Sequence, residues 1–484
     1  MSKKVRTAVT PTREENFPEW YQQVIKAADM AENSPVRGCM TIKPYGFALW
    51  ENMQRIFDGM IKELGVQNTY FPLLIPLEFI SREAEHIDGF ATECAVVTHH
   101  RLEKNEDGSA LVPAGKLEEP YVIRPTSETI IGEAMSRWVQ SYRDLPMKLN
   151  QWCNVMRWEM RTRMFLRTAE FLWQEGHNVF ETSQDAHEDQ VKMLNAYADF
   201  AENYLAIPVV KGEKTPDERF PGAVSTLTIE AMMQDGKALQ AGTSHDLGQT
   251  FSKGCGIKFQ GRDGQEQFAY TTSWGISTRL IGGMIMTHGD DDGMMMPPRV
   301  APTQVMILPI LRDDSDVETI MMHAEATANV LRDKGLRVQI DTREMRTPDK
   351  MWDAVKKGIP LRVEIGGREA DEGTLTHVRR DLGRDSKTTE SLSDFGAHVQ
   401  DILNDIQTCM YQRAKDFMDA RIVDIDDAKA LDKLFKKKHD GFARMDVAQL
   451  EEIGVQKAME AHKLTSRCLP LADEGKKVLI GKAY

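Results

Sequence analysis

The chain has 484 residues, of which 41% are hydrophobic and 28% charged. That length allows about three domains, and the composition excludes a disordered, collagen-like or low-complexity chain. With 61 Lys and Arg against 74 Asp and Glu, the net charge is −13, so any nucleic-acid partner must be met by local basic patches.

The first residues, MSKKVRTAVTPTREENF, carry no apolar run behind their basic residues, and no secretory leader is expected. From Trp50, the apolar residues Met53, Phe57, Met60 and Leu64 follow helical spacing, and Gly65 stands where a C-terminal cap belongs. VQNTYFPLLIP then reads as a strand at a sheet edge, because Pro72 cannot donate to a ladder. The longest apolar stretch, Tyr70 to Ile80, contains Pro72, Pro76 and Glu78 and is too short to span a bilayer. LNQWCNVMRWEM, FLWQEGHNVF and ALQAGTSHDLGQTF read as long antiparallel strands.

GDDDGMMMPPRVAP, residues 289–302, reads as a linker. Strand and helix alternate beyond it. TQVMILPIL, LRVQI and LRVEIG are strands, one helix is closed by Gly335, and a second starts at Thr347 and Pro348 and ends at Gly358. This predicts an α/β domain over 302–400. From about 400 the chain reads as helical and charged, ending in VLIGKAY, a possible strand. The six cysteines are scattered with no C-x-x-C pair, as in a cytosolic protein with reduced thiols.

No P-loop, G-x-G-x-x-G, H-E-x-x-H or paired-cysteine motif is present. What stands out is charge within strand-like sequence. Arg157 and Glu159 are two apart, as are Trp173, Glu175 and His177, and Thr243 and His245, so on strands each set shares one face. Arg161, Arg163 and Arg167 lie between the first two sets, and residues 148–168 hold five Lys/Arg and one acid. Arginine forks suit phosphate or carboxylate. The residues alone point to an antiparallel-sheet enzyme or binder for a phosphorylated, cationic small molecule, with solvated strand faces and core residues as the plainer alternative.

Taken together, these segments resemble the prolyl-tRNA synthetase family of class II aminoacyl-tRNA synthetases, in its archaeal/eukaryotic-like form. The resemblance runs from NFPEWY to GKAY. GVQNTYFPLL looks like motif 1, RWE with FLRTAEFLWQEGH like motif 2, and WGISTRLIGGMIMTHGDD like motif 3; RPTSET, FLWQEGH and GTSHDLGQ are specific to the prolyl member. The resemblance implies a multidomain α/β protein. An α+β catalytic domain (1–290) has an antiparallel sheet flanked by helices, followed by an α/β anticodon-binding domain (302–400) and a small C-terminal α/β domain (401–484).

It also implies proline activation with ATP and Mg²⁺ and transfer to tRNA(Pro), in a cytoplasmic homodimer that is not membrane-bound. Arg157 would meet the α-phosphate and the proline carboxylate, with Glu159 on the adenine. Arg167, Thr168, Gln240, Thr243, Ser277 and Arg279 would hold the nucleotide. Thr126, Glu128, Arg157, Trp173, Glu175, His177, His245 and Trp274 would build the proline pocket, with Glu128 or Glu175 on the imino group and Trp173 as an apolar wall. Arg343, Arg346, Lys356, Arg362, Arg379 and Arg380 are candidates for the anticodon. Residues 400–484 offer only Cys409, Cys468, His439 and His462, so no zinc or other metal is expected. Tyr484 would reach towards the active site. The 65 residues from 178 to 242 leave no room for an inserted editing domain, so slow mischarging of alanine or cysteine is expected. A threonine-specific enzyme and a non-catalytic, RNA-binding paralogue are the competing readings.

Overall fold

The structure, a computed structural model, describes residues 7–84, 93–312 and 315–484, with the backbone alone for 82–84. The basic start, residues 1–6, lies outside the described residues. Among the described residues no helix is long and apolar enough to cross a membrane, and the six cysteines form no disulfide.

Helix α1 (Pro44–Glu63) buries Leu49, Trp50, Met53, Phe57 and Ile61 along one face, as their spacing predicts. Phe57 stacks on Tyr197 with ring centroids 5.2 Å apart. Burying each such side chain contributes about 1.5–3 kcal/mol. Leu64 caps the helix, and Gly65 follows at φ 82°, a left-handed conformation that a Cβ disfavours. The edge strand expected next is broken. Only Gln67–Asn68 and Leu74–Pro76 pair, and Pro72 stands between them outside any strand. Gln67–Asn68 does lie at one edge of the main sheet.

That sheet is built from α2 (Glu128–Trp138), β1 (Met147–Met156), β2 (Glu170–Phe180), α3 (Ser183–Asp199), β3 (Val209–Glu213), β4 (Ser225–Met232), β5 (Ala238–Gly248), β6 (Tyr270–Ser277) and α4 (Arg279–His288). Spatially the strands run β3-β4-β5-β6-β2-β1, every neighbour antiparallel. Strand β1 stops at Met156, so Arg157 and Glu159 do not share a strand face. Arg157 N still donates to Ala169 O (2.8 Å), but Trp158 N turns to Glu93 O (3.1 Å) and the chain leaves the sheet.

Residues 289–302 are not a free linker. Met294, Met296, Val300 and Ala301 are fully buried, and Asp290 takes two hydrogen bonds from Arg380, at 2.6 and 2.7 Å. A following unit contains β7 (Val305–Pro309), α5 (Val317–Asp333), β8 (Val338–Ile340), α6 (Thr347–Lys356), β9 (Leu361–Ile365), β10 (Thr374–Arg379), β11 (Thr388–Ser391) and α7 (Leu392–Asp419). Its sheet order is β8-β7-β9-β10-β11, parallel through β9 and antiparallel after it. The N-cap of α6 is Arg346 rather than Thr347, with Pro348 in the first turn. Helix α7 runs straight through residue 400. Phe395, Val399, Leu403, Ile406 and Met410 bury one apolar stripe against this unit, so the boundary moves to about 420.

The remainder is not mainly helical. It folds as β12 (Ile422–Asp424), α8 (Ala428–Lys436), β13 (Phe442–Asp446), α9 (Ile453–His462), β14 (Thr465–Pro470) and β15 (Lys477–Gly481). Strand β14 pairs with β3 at Leu469 and Glu213, which extends the main sheet to eleven strands in the order β12-β13-β15-β14-β3 and onward. The expected strand in VLIGKAY is β15.

Candidate functional site

Strands β2, β6 and β5 present one polar face. Register aligns Glu175 with Gly275 and Thr243, and His177 with Ser273 and His245. Trp173 lies opposite Ser277. Gly275 keeps the centre of this face low, since a Cβ there would stand 3.2 Å from Gln174 O. Above the sheet is a cavity of ≈ 250 Å³ lined by Thr126, Glu128, Arg157, Trp173, Glu175, His177, Gln240, Thr243, His245, Trp274, Ser277 and Arg279. The sequence singled out all twelve. Phe171, Glu218, Arg219, Phe220, Thr226 and Ser273 also line it and were missed. Ser273 was legible from its even, four-residue spacing to Ser277, which puts both on one strand face. Nothing local marks Phe220, which arrives on a loop and sets its ring 4.6 Å from that of His245.

Arg124 fixes the segment that carries Thr126 and Glu128. Its guanidinium is buried and donates to Asn154 O (2.8 Å) and Phe71 O (2.9 Å). The next residues diverge in role. Ser127 Oγ donates to Glu175 Oε1 at 2.5 Å, where Gln151 Nε2 also donates at 2.7 Å. His177 Nε2 lies 3.1 Å from the other oxygen. Burial alone would raise the Glu175 carboxyl, but His177, Ser127 and Gln151 outweigh it and hold the group below the usual carboxylate range. Glu175 is thus an ionised hub with its oxygens engaged. Glu128 accepts from the Thr126 hydroxyl and is the carboxylate left to face the cavity.

Arg157 donates from Nε to Pro125 O (3.0 Å), and its guanidinium lies 5.5 Å from the rings of Phe171 and Trp173. One anchor and two aromatic walls aim the remaining donors at the cavity. Arg279 is tied through Nε to Leu166 O (3.2 Å). Its pKa is drawn down, first by burial and then by the positive charge of Arg157 and Arg167. Like charges held together in this way favour an anionic ligand that relieves them.

Four expectations need correction. Glu159 and Arg167 pair with each other across the loop, and Glu159 also accepts from Arg161 N (2.9 Å), so neither lines the cavity. Thr168 spends its hydroxyl on Glu170 O (2.7 Å) and faces a separate cavity beside Asn16 and Arg163. Trp274 lines the site only as its floor. Alternation turns its side chain away, where its indole covers Gly176 and Nε1 donates to Asp189 Oδ2 (3.4 Å). Of the six basic residues considered for the anticodon, Arg343, Arg346, Arg362 and Arg379 are engaged by carboxylates of their own domain, and Arg380 by Asp290.

Tyr484 is not among the residues that line the cavity. Its hydroxyl donates to Asp235 Oδ2 (2.6 Å), and the Arg163 guanidinium lies 5.7 Å from its ring.

His245 is buried, with Nδ1 3.0 Å from Thr226 Oγ1, and burial pulls its pKa down to about 3. Burial likewise lowers His288 to about 4. Both native pKa values lie below the unfolded value, so protons bind the unfolded chain first. Stability is therefore full above about pH 6.5 and declines as pH falls from there towards about 3. Chemical-denaturation midpoints from about pH 8 to about pH 5 should show this decline, with a shallower slope in His245→Asn. Equal slopes in the two proteins would mean that the imidazole charges inside the fold.

Residues 114–288 match the family described as the tRNA synthetase class II core domain (G, H, P, S and T), and residues 304–402 match the anticodon binding domain. The chain is 54% identical over 477 residues to the proline--tRNA ligase of Bdellovibrio bacteriovorus, covering 97% of this chain and 95% of that protein. It is 53% identical over 498 residues to the proline--tRNA ligase of Rhodopirellula baltica, covering 100% and 97%. Its structure is similar to that of prolyl-tRNA synthetase from Cryptosporidium parvum complexed with halofuginone and AMPPNP, with a TM-score of 0.89, 35% identity and 99% of each chain covered.

Proposed function

The chain belongs to the proline–tRNA ligase family of class II aminoacyl-tRNA synthetases, and from that premise we propose how its cleft carries out the reaction. Proline lies over the β2–β6–β5 face, with Glu128 taking the imino cation and Trp173 walling the ring. Glu175, engaged by Ser127, Gln151 and His177, positions that floor rather than contacting the cation. Arg157 receives the proline carboxylate and the ATP α-phosphate together, which sets the carboxylate in line for attack on phosphorus. Gln240, Thr243, Ser277 and Arg279 hold the rest of ATP. Glu218, a further carboxylate lining the cavity, would help to hold Mg²⁺, which would supply neutralisation of phosphate charge. Diphosphate leaves as the adenylate forms; the terminal adenosine hydroxyl of tRNA(Pro), whose anticodon the 304–402 domain holds, then attacks the prolyl carbonyl and AMP departs.

The observation that carries this reading is the pairing of an anchored Arg157 fork with an ionic and aromatic pocket sized for a small cationic amino acid. ATP–pyrophosphate exchange with each standard amino acid tests it. Proline should dominate, with slow exchange for alanine and cysteine, because missing methylenes are worth only about 1–3 kcal/mol each. Exchange led by threonine, or none at all, would overturn it. The archaeal/eukaryotic-like form without an editing insertion is supported by residues 178–242, which are taken up by α3, β3, β4 and the ends of β2 and β5. The same reading assigns the protein to the cytoplasm, in keeping with six cysteines that form no disulfide.

We also infer a homodimer. The apolar face of α1 is buried in its own subunit, whereas Tyr70, Leu74 and Leu77 stand exposed beside the Gln67–Asn68 edge. Analytical ultracentrifugation at micromolar concentration should give about twice the chain mass, and Tyr70→Glu with Leu74→Glu should lower it. A fully active monomer would refute the assignment.

A further inference from the structure

The 302–420 unit brings together three side chains that no motif connects. His377 lies on β10, Glu390 on β11 and His398 in the second turn of α7. In the antiparallel pair, Leu375 stands opposite Glu390 and His377 opposite Thr388, so Glu390 and His377 are diagonal neighbours on one face. Helix α7 then brings His398 to the same carboxylate. His377 Nε2 is 2.7 Å from Glu390 Oε1, and His398 Nε2 is 3.2 Å from that same oxygen. One ligand atom from each residue lies within 4.8 Å of the others.

A tetrahedral ion with bonds of about 2.0–2.1 Å separates its ligand atoms by roughly 3.3 Å. The two spacings to Glu390 Oε1, 2.7 and 3.2 Å, lie just below that value, and small side-chain rotations would open the set around an ion. Two imidazoles and one carboxylate suit zinc and its first-row neighbours, not Mg²⁺ or Ca²⁺, which prefer oxygen alone. The site is graded from floor to mouth. The His377 and Glu390 side chains are 7% and 16% exposed, while that of His398 is 42% exposed, which leaves a route in and room for a water as fourth ligand.

Phe395 supports both rings, tilted against His377 at 5.1 Å and edge-on to His398 at 6.4 Å. Without an ion, two imidazoles share one carboxylate oxygen. His377 Nδ1 is buried with no hydrogen-bond partner, so the outer acceptor that usually steadies a metal-bound imidazole is missing. The binding should therefore be weaker than that of a closed structural zinc site.

We propose that His377, Glu390 and His398 form a binding site for a zinc-class divalent cation, clipping β10 and β11 to the start of α7. This replaces the expectation of no metal, which rested on the C-terminal ligands alone. Full-length protein stripped with chelator should be titrated with Zn²⁺ by calorimetry and with Co²⁺ by visible absorption. Wild type should take up one ion per chain and melt at a higher temperature with Zn²⁺. His398→Ala and Glu390→Gln should each bind at least about tenfold more weakly and lose that rise, while His439→Ala, in the C-terminal region, should behave as wild type. Because His398 is at the surface, His398→Ala should keep the metal-free melting temperature. Absence of uptake by wild type, or equal affinity in a folded His398→Ala, would overturn the site.

Discussion

Replacing Arg157 by alanine is expected to abolish adenylate formation while leaving the fold intact. The guanidinium makes one hydrogen bond to its own chain, to Pro125 O, and otherwise faces the cavity between Phe171 and Trp173. Little packing is therefore lost, and the melting temperature should hold. In the reaction, however, the same fork gathers two anions that repel each other. Without it, the proline carboxylate and α-phosphate have no shared positive partner, and Arg279 alone cannot reach both roles from its tether at Leu166 O. Removing a single preorganised donor of this kind costs about 10²–10³ in rate, and a two-pronged contact should cost at least that. Arg157→Lys should also fail, since an ammonium cannot keep the Pro125 anchor and a bidentate grip together. ATP–pyrophosphate exchange decides it: a folded Arg157→Ala enzyme within about tenfold of wild type would remove Arg157 from the reaction.

The cleft was legible because strand alternation is a local property. Trp173, Glu175 and His177 had to share a face wherever β2 was placed, and the structure makes that face the floor of the cavity. The same rule failed for Arg157 and Glu159 because it assumes a strand that continues, and β1 ends at Met156. It failed for Trp274 in another way. Ser273, Gly275 and Ser277 occupy the cavity face of β6, so the residue between them had to turn towards Asp189, and adherence to a family pattern overrode that parity. Pairings between distant strands had no local signal at all. Nothing in residues 465–470 announces that they extend a sheet begun at residue 67, and the three groups of the proposed metal site are separated by 13 and 8 positions on three elements. Residues 289–302 misled by composition, since Gly, Asp and Pro mark loops, yet three methionines in the same stretch are what the interior takes.

The junction between β14 and β3 yields the largest expected loss of stability. Only Leu469 with Glu213 and Pro470 with Gly212 pair along it, too little backbone to hold a domain. Beside it, Glu230 is fully buried and binds Lys214 Nζ at 2.7 Å and Arg467 at 3.0 Å, while Lys214 Nζ also donates to Arg467 O at 2.9 Å. Two cations and one anion are thus buried where the C-terminal domain meets the catalytic sheet. Glu230→Leu fills the space but leaves both cations unpaired away from water, a cost of about 3–5 kcal/mol. The apparent melting temperature should fall by several degrees, and limited proteolysis should begin near residue 420, where α7 ends. Tyr484 should leave Asp235 and Arg163 with it, because it reaches them only while β15 is docked. Lys214→Met, Glu230→Leu and Arg467→Met together should recover most of the loss, as apolar replacements of buried ion clusters do. A single Glu230→Leu that melts with wild type would mean that water already reaches these groups, and that the domain is held by its apolar contacts alone.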